Sequence, residues 1–161
     1  MPQISKGGKY VFGWSRIGAD GEVLIPPEAM REYHRRPHER VILISGSRAS
    51  GGFVVSKKSW LEESAISQVL TNNPELTKFQ IEEGRTIKFK GRLYGWARIH
   101  DNGLLILPAH TLATFQIKPG DCLLSIRGSD IAFVMGVKGP LIEKARLHPE
   151  INMFGRNNSA P

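Results

Sequence analysis

Sulfur, aromatic rings and negative charge are all scarce in this chain, and long apolar runs are missing. A single cysteine, Cys122, among 161 residues excludes an internal disulfide framework. It is expected to be a buried thiol in a reducing compartment. No segment approaches the roughly twenty consecutive apolar residues of a membrane-spanning helix, and the opening MPQISKGGKY has no apolar stretch of signal-peptide length. The expectation is a cytoplasmic protein with no membrane partner. Acidic residues number 15 against 22 lysines and arginines, for a formal charge of +7. That imbalance directs attention to an anionic partner, with nucleic acid ahead of an anionic membrane surface. Apolar content of 40% is ordinary for a globular protein, so a core can form without staples.

What the chain does have is a copy of itself. Gly13 to Ser47 aligns without a gap on Gly95 to Ser129, each residue paired with the one 82 positions later. Gly13/Gly95, Trp14/Trp96, Arg16/Arg98, Ile17/Ile99, Gly21/Gly103, Pro26/Pro108, Pro37/Pro119, Gly46/Gly128 and Ser47/Ser129 are identical pairs. A unit this short has no room for a two-sided core, so the copies are expected to bury their apolar faces against each other. The repeat divides the chain into 1–84 and 85–161, each a repeat with an appended helix, together forming one pseudo-dimeric domain.

Within each copy the pattern predicts a strand (YVFGWSRI or RLYGWARI), a turn at Asp20-Gly21 or Asn102-Gly103, and a hairpin return strand ending at Pro26 or Pro108. Proline lacks the amide donor for a ladder but suits a helix start, so a short helix follows. Met30 and Tyr33, and Leu112 and Phe115, take its core-facing spacing. A second hairpin comes next: RVILIS with FVV, and CLLSI with IAFVM. Ser59 with Glu62 reads as a capping box for a helix to about Leu70, and Pro140 opens the corresponding helix in the second copy. Thr71 to Gly84 reads as a linker and Gly155 to Pro161 as a tail. Gly13 and Gly95 suggest a bulge or a close backbone approach. The fold class is β-rich α+β.

This order, and above all KPGDCLLSI (Lys118 to Ile126) combined with DGEVLIPPE (Asp20 to Glu28), resembles the swapped-hairpin domain of the AbrB, SpoVT and MazE family. The resemblance covers Phe12 to Val55 and Tyr94 to Met135. It implies an intramolecular swapped-hairpin β-barrel with short flanking helices, both halves fused in tandem. It further implies a DNA-binding regulator of transcription or an antitoxin, without cofactor or catalysis. The chain departs from the family's contact pattern: Ser15 and Ala97 stand beside Arg16 and Arg98, Glu22 and Leu104 follow the turn glycine, and Arg31 on the helix faces Ala113 in the other copy.

Basic residues gather around the first strands. Arg85, Lys88, Lys90, Arg92 and Arg98 lie in an acid-free run from Arg85 to His100, and Lys9 and Arg16 precede any acid. Such a local excess is what neutralising phosphates requires. Arg16 and Arg98 are therefore the expected central contacts to double-stranded DNA, with Lys9, Lys88, Lys90, Arg92 and Arg31 as surrounding phosphate contacts. Trp14 and Trp96, two residues before each arginine, either stack on bases or fill the core, the core being favoured. The asymmetry of Arg31 against Ala113 predicts a site less palindromic than a true homodimer prefers.

Catalytic and metal chemistry find no candidates. Pro37 breaks the helical ligand spacing of His34 and His38, and His100, His110 and His148 have no partner at ligand spacing. Gly46 to Gly52 is glycine-rich, but no Gly-Lys-Ser/Thr opens a helix after it, so it reads as a hairpin loop. No enzyme, metal or cofactor is expected. The alternative to DNA binding is a protein-interaction module, antitoxin-like or an assembly factor, that has lost DNA recognition. The chain is expected to be a monomer serving as a pseudo-dimer, or a higher homo-oligomer.

Overall fold

A computed structural model describes residues 10–33, 36, 38–62, 67–129 and 132–155, with only the backbone of Trp60. In the first copy β1 (Val11–Arg16) turns into β2 (Glu22–Leu24), followed by α1 (Pro27–Glu32), β3 (Arg40–Ser45), β4 (Phe53–Ser56) and α2 (Lys58–Glu62). Two further helices, α3 (Gln68–Asn72) and α4 (Pro74–Thr77), lead into the second copy. There β5 (Thr86–Phe89) precedes β6 (Arg92–Arg98), and a 3₁₀ turn at Asp101–Gly103 leads to β7 (Leu104–Ile106). The copy continues with α5 (Ala109–Thr114), β8 (Cys122–Arg127), β9 (Ala132–Gly136), α6 (Pro140–Ala145) and β10 (Met153–Phe154). Pro26 and Pro108 stand at the N-caps of α1 and α5, and Pro140 occupies the first turn of α6. Gly21, Asn102 and Gly103 take positive φ at the two turns, as the Asp-Gly and Asn-Gly dipeptides require.

The pairing interlocks the copies. Eight strands form one sheet in the order β10-β1-β8-β9-β4-β3-β6-β5, and β2 and β7 form a second ladder. Strand β1 of the first copy pairs with β8 of the second, and β6 of the second with β3 of the first. The registers coincide under the repeat: Trp14 opposes Leu124 while Trp96 opposes Ile42, and Arg16 opposes Cys122 while Arg98 opposes Arg40. Val54 opposes Val134 where β4 meets β9, and Val23 opposes Leu105 where β2 meets β7. Val23 and Leu105 are 82 apart, and Val54 and Val134 are equivalent when FVV (Phe53 to Val55) is aligned on FVM (Phe133 to Met135) after the second copy's shorter loop, so a pseudo-two-fold axis passes through both ladders.

Several expectations need correction. The eight-stranded sheet is not closed, and its outer edges are occupied by strands that the pattern did not predict, β10 parallel on β1 and β5 antiparallel on β6. The expected first hairpin does not form, since β1 is already paired on both sides, with β8 and β10. Gly18 donates to the Glu22 carbonyl at 2.9 Å, but β2 pairs with β7 instead of β1. The linker from Thr71 to Gly84 carries α4 and apolar residues that pack inward. Of the helix expected from Ser59 to Leu70, α2 and the start of α3 are described, and residues 63–66 lie outside the described residues.

The sheet is covered on both faces. On one side Val23, Leu105, Leu112, Phe115, Tyr33 and their neighbours from both copies make a common core. On the other, Trp14 packs in a cluster with Ile142 and Ala145 of α6, and Trp96 in a cluster with Leu61, Val69, Leu70 and Leu76 of α2 to α4. A bulge between Val11 and Gly13 interrupts β1. It reverses side-chain parity, so that Phe12 joins the common core while its repeat-equivalent Tyr94 joins the Trp96 cluster.

Candidate nucleic-acid interface

Arg16 and Arg98 end β1 and β6, each just before the chain crosses to the β2–β7 ladder. Their settings differ. Arg16 is half-buried, with a long contact of 3.5 Å from Nη1 to the Gly120 carbonyl. It lines a cavity of about 270 Å³ together with Glu22, Asp101 and Asn102, a mixture of both charges. Glu22 is only 8% exposed, and its carboxylate lies against Gly18, where a Cβ would come within 1.8 Å of Oε2. Ser15 is fully buried, its hydroxyl donating to the Leu24 carbonyl at 2.6 Å. Across the ladder from Arg16, Cys122 is half-buried rather than fully buried as expected, and this partial burial still pushes its thiol above the ordinary thiol range, with Arg16 opposing the shift.

Arg98 lies in a more cationic place. An open groove of about 490 Å³ gathers Arg40, Lys57 and Lys58 from the first copy with Arg98 from the second, together with His38 and Glu39. Among the described residues, four permanent cations thus share this lining with one carboxylate, Glu39, while Glu83 accepts from the Arg98 backbone N–H at 2.8 Å. The β3–β6 ladder creates this meeting, since Arg40 and Arg98 are direct cross-strand partners. The Arg40 guanidinium lies 5.2 Å from the centroid of Phe79 and 5.6 Å from that of Trp96, and the Lys58 ammonium 5.3 Å from Phe79. Lys58 also donates to the Thr77 carbonyl at 3.1 Å, and Lys57 pairs with Glu39 at 3.5 Å. His38 reaches Asp101 at 3.2 Å, so the groove adjoins the cavity of Arg16.

The remaining predicted contacts divide between other places. Lys88, Lys90 and Arg92 are exposed on the β5–β6 hairpin, where Phe89 opposes Arg92 and Lys90 donates to Gln68 Oε1 at 2.8 Å. At about 3.3 Å per residue this hairpin lies roughly 20 Å from Arg98 along β6. One continuous basic run in sequence is therefore two separate patches in space. Arg31 is exposed on α1, which packs against the turn at Asp101–Gly103. Lys9 and His34 lie outside the described residues. Trp14 and Trp96 are 3% and 8% exposed, and the indole N–H of Trp96 donates to the Ile81 carbonyl at 2.8 Å, so both rings are packed in clusters rather than presented to solvent. Sequence reading missed Arg40, Lys57 and Lys58. The adjacency of Lys57 and Lys58, and the alignment of Arg40 with Cys122, were the available signals.

Among the described residues no three His, Cys, Asp or Glu side chains gather as a metal site requires. No helix there is long and apolar enough to cross a membrane. No protein-family model and no curated protein matches the chain. Among solved structures it is similar to the solution structure of PHS018 from Pyrococcus horikoshii, at 13% identity and a TM-score of 0.35, over 81% of this chain and 98% of that one.

Proposed function

We propose that this chain is a DNA-binding regulator of transcription of the AbrB and SpoVT type, acting in the cytoplasm, without cofactor or catalysis. In this reading the two repeats are halves of a swapped-hairpin pair fused into one polypeptide, and double-stranded DNA lies across the side carrying Arg16 and Arg98. The observation that carries it is the shared register of the two cross-copy ladders, which relates these arginines by the pseudo-two-fold axis. Two equivalent cations about an axis suit the two equivalent backbones of a duplex. The formal charge of +7 supports a polyanionic partner.

The test is binding of mixed-sequence duplex at several salt concentrations, comparing the native chain with Arg16→Ala/Arg98→Ala. Each phosphate contact contributes about 0.9 to the slope of log affinity against log salt, so the double variant should lower that slope by about two. Absence of duplex binding at low salt would remove this reading. A protein-interaction module is the second reading. It is favoured by the burial of Ser15 and Glu22, two positions at which the family presents contact side chains.

A further inference from the structure

Resting on the nucleic-acid reading, we propose that the groove lined by Arg40, Lys57, Lys58 and Arg98 is a phosphate-binding site, built in one half of the pseudo-dimer only. Four cations held around one open volume repel one another, and among the described residues Glu39 in the lining and Glu83, which accepts from the Arg98 amide at 2.8 Å, offset only part of that charge. A phosphate relieves the repulsion. The cations are also held in place before any ligand arrives. Arg40 rests on Phe79 and Trp96, Lys58 is tied to the Thr77 carbonyl, and Trp96 beneath them is anchored to Ile81. A guanidinium resting on a ring keeps donors at its edge for a phosphate oxygen, and pre-ordered side chains lose less entropy on binding. The open volume of about 490 Å³ leaves room for a short run of phosphoryl groups with their water.

The other half lacks this arrangement. Cys122 stands where Arg40 would be, and, with KKSWLEES (Lys57 to Ser64) aligned on KGPLIEKA (Lys138 to Ala145), Gly139 stands where Lys58 would be, leaving Arg16 and Lys138 as the aligned cations and Arg146 as a further cation near Cys122. Nucleic acid would accordingly be held more tightly at one end, which gives the complex a polarity that the repeat alone does not have.

The site's phosphate can belong to a nucleic-acid backbone or to a free polyphosphate, and two arms separate these sources. In the first, salt-dependent binding of a duplex is compared among the native chain, Lys57→Gln/Lys58→Gln and Lys138→Gln. In the second, inorganic triphosphate is added to the same proteins and the shift in thermal unfolding is read. The glutamines keep the apolar stems, and Arg40→Gln provides an independent variant if the double one does not fold. We expect the groove variant to lose about two from the log-log salt slope and to lose the triphosphate shift, with Lys138→Gln keeping that shift. Duplex binding and triphosphate response unchanged in the groove variants would overturn this site while leaving DNA binding standing. A groove-dependent triphosphate shift with no duplex binding would keep the site and remove the DNA reading. Neither ligand acting on the native chain would overturn both.

Discussion

Gly21 and Gly103 occupy equivalent turns, yet their surroundings differ in a measurable way. A Cβ at Gly21 would lie 2.0 Å from the Leu107 carbonyl oxygen, whereas at Gly103 the nearest atoms are Met30 Cγ at 3.2 Å and the Ile25 carbonyl oxygen at 3.3 Å. Both residues have positive φ, so alanine is strained at either. At Gly21 it must also displace a backbone that the β2–β7 crossing holds in place. Urea titration should show Gly103→Ala costing about 1–2 kcal/mol and Gly21→Ala about 3 kcal/mol or more. Cys122 gives a second check. Because burial favours its protonated form in the folded chain, less thiolate is present at about pH 8 than in an unfolded thiol. Alkylation of native protein should therefore be slower than in urea and should accelerate only as pH rises beyond the ordinary thiol range. Equal rates in the two states would contradict that burial.

The outer elements break the repeat's symmetry. Strand β10 covers β1, with Trp14 opposite Met153, Ser15 opposite Phe154, and the Trp14 amide donating to Asn152 at 2.9 Å. Gly13 permits this approach, since a Cβ there would meet the Phe154 ring at 2.6 Å. Gly95 serves the corresponding role for β5, where a Cβ would come within 2.7 Å of the Arg85 carbonyl oxygen. Two glycines in one register thus admit two different strands. Truncation after Glu150 should expose the β1 edge and abolish hydrogen-exchange protection of the Trp14 amide, while leaving protection of Trp96 unchanged. It should also shift tryptophan emission to longer wavelength as Trp14 gains contact with water. Retained protection at Trp14 would show that β10 is not what shields it.

At the scale of the molecule, neither copy can satisfy its own strands. The β1–β8 and β3–β6 ladders, the β4–β9 contact and the β2–β7 ladder all join residues on opposite sides of residue 84. Side chains reinforce the union: Tyr33 Oη donates to the Ser129 carbonyl at 2.8 Å, and Arg127 pairs with Glu32 at 3.0 Å. Fragments 1–84 and 85–161 expressed separately should be unfolded or self-paired, and mixing them should restore native circular dichroism in a one-to-one complex. Light scattering that found either fragment folded and monomeric would overturn the interlocked arrangement. The groove lined by Arg40, Lys57, Lys58 and Arg98 likewise draws its side chains from both copies.

Much of this organisation was legible in the residues. The repeat, the turns at Asp20-Gly21 and Asn102-Gly103, the helix starts at the prolines and the strand from Arg40 to Ser45 all follow from local rules of backbone donors, φ preference and side-chain periodicity. Arg16 and Arg98 could be marked as equivalent by alignment. Their unlike surroundings could not, because these depend on which strand lies alongside. Amide donors and acceptors are the same in every strand, so sequence determined that β1, β2, β6 and β7 exist but not which edges they share. Only the tertiary structure decided that β10 and β5 take the outer edges, that the basic run separates into two patches, and that Arg40 stands opposite Arg98. Pairing across the pseudo-two-fold brings residues distant in the chain to within one strand spacing, and the charge concentrated there is a property of that contact.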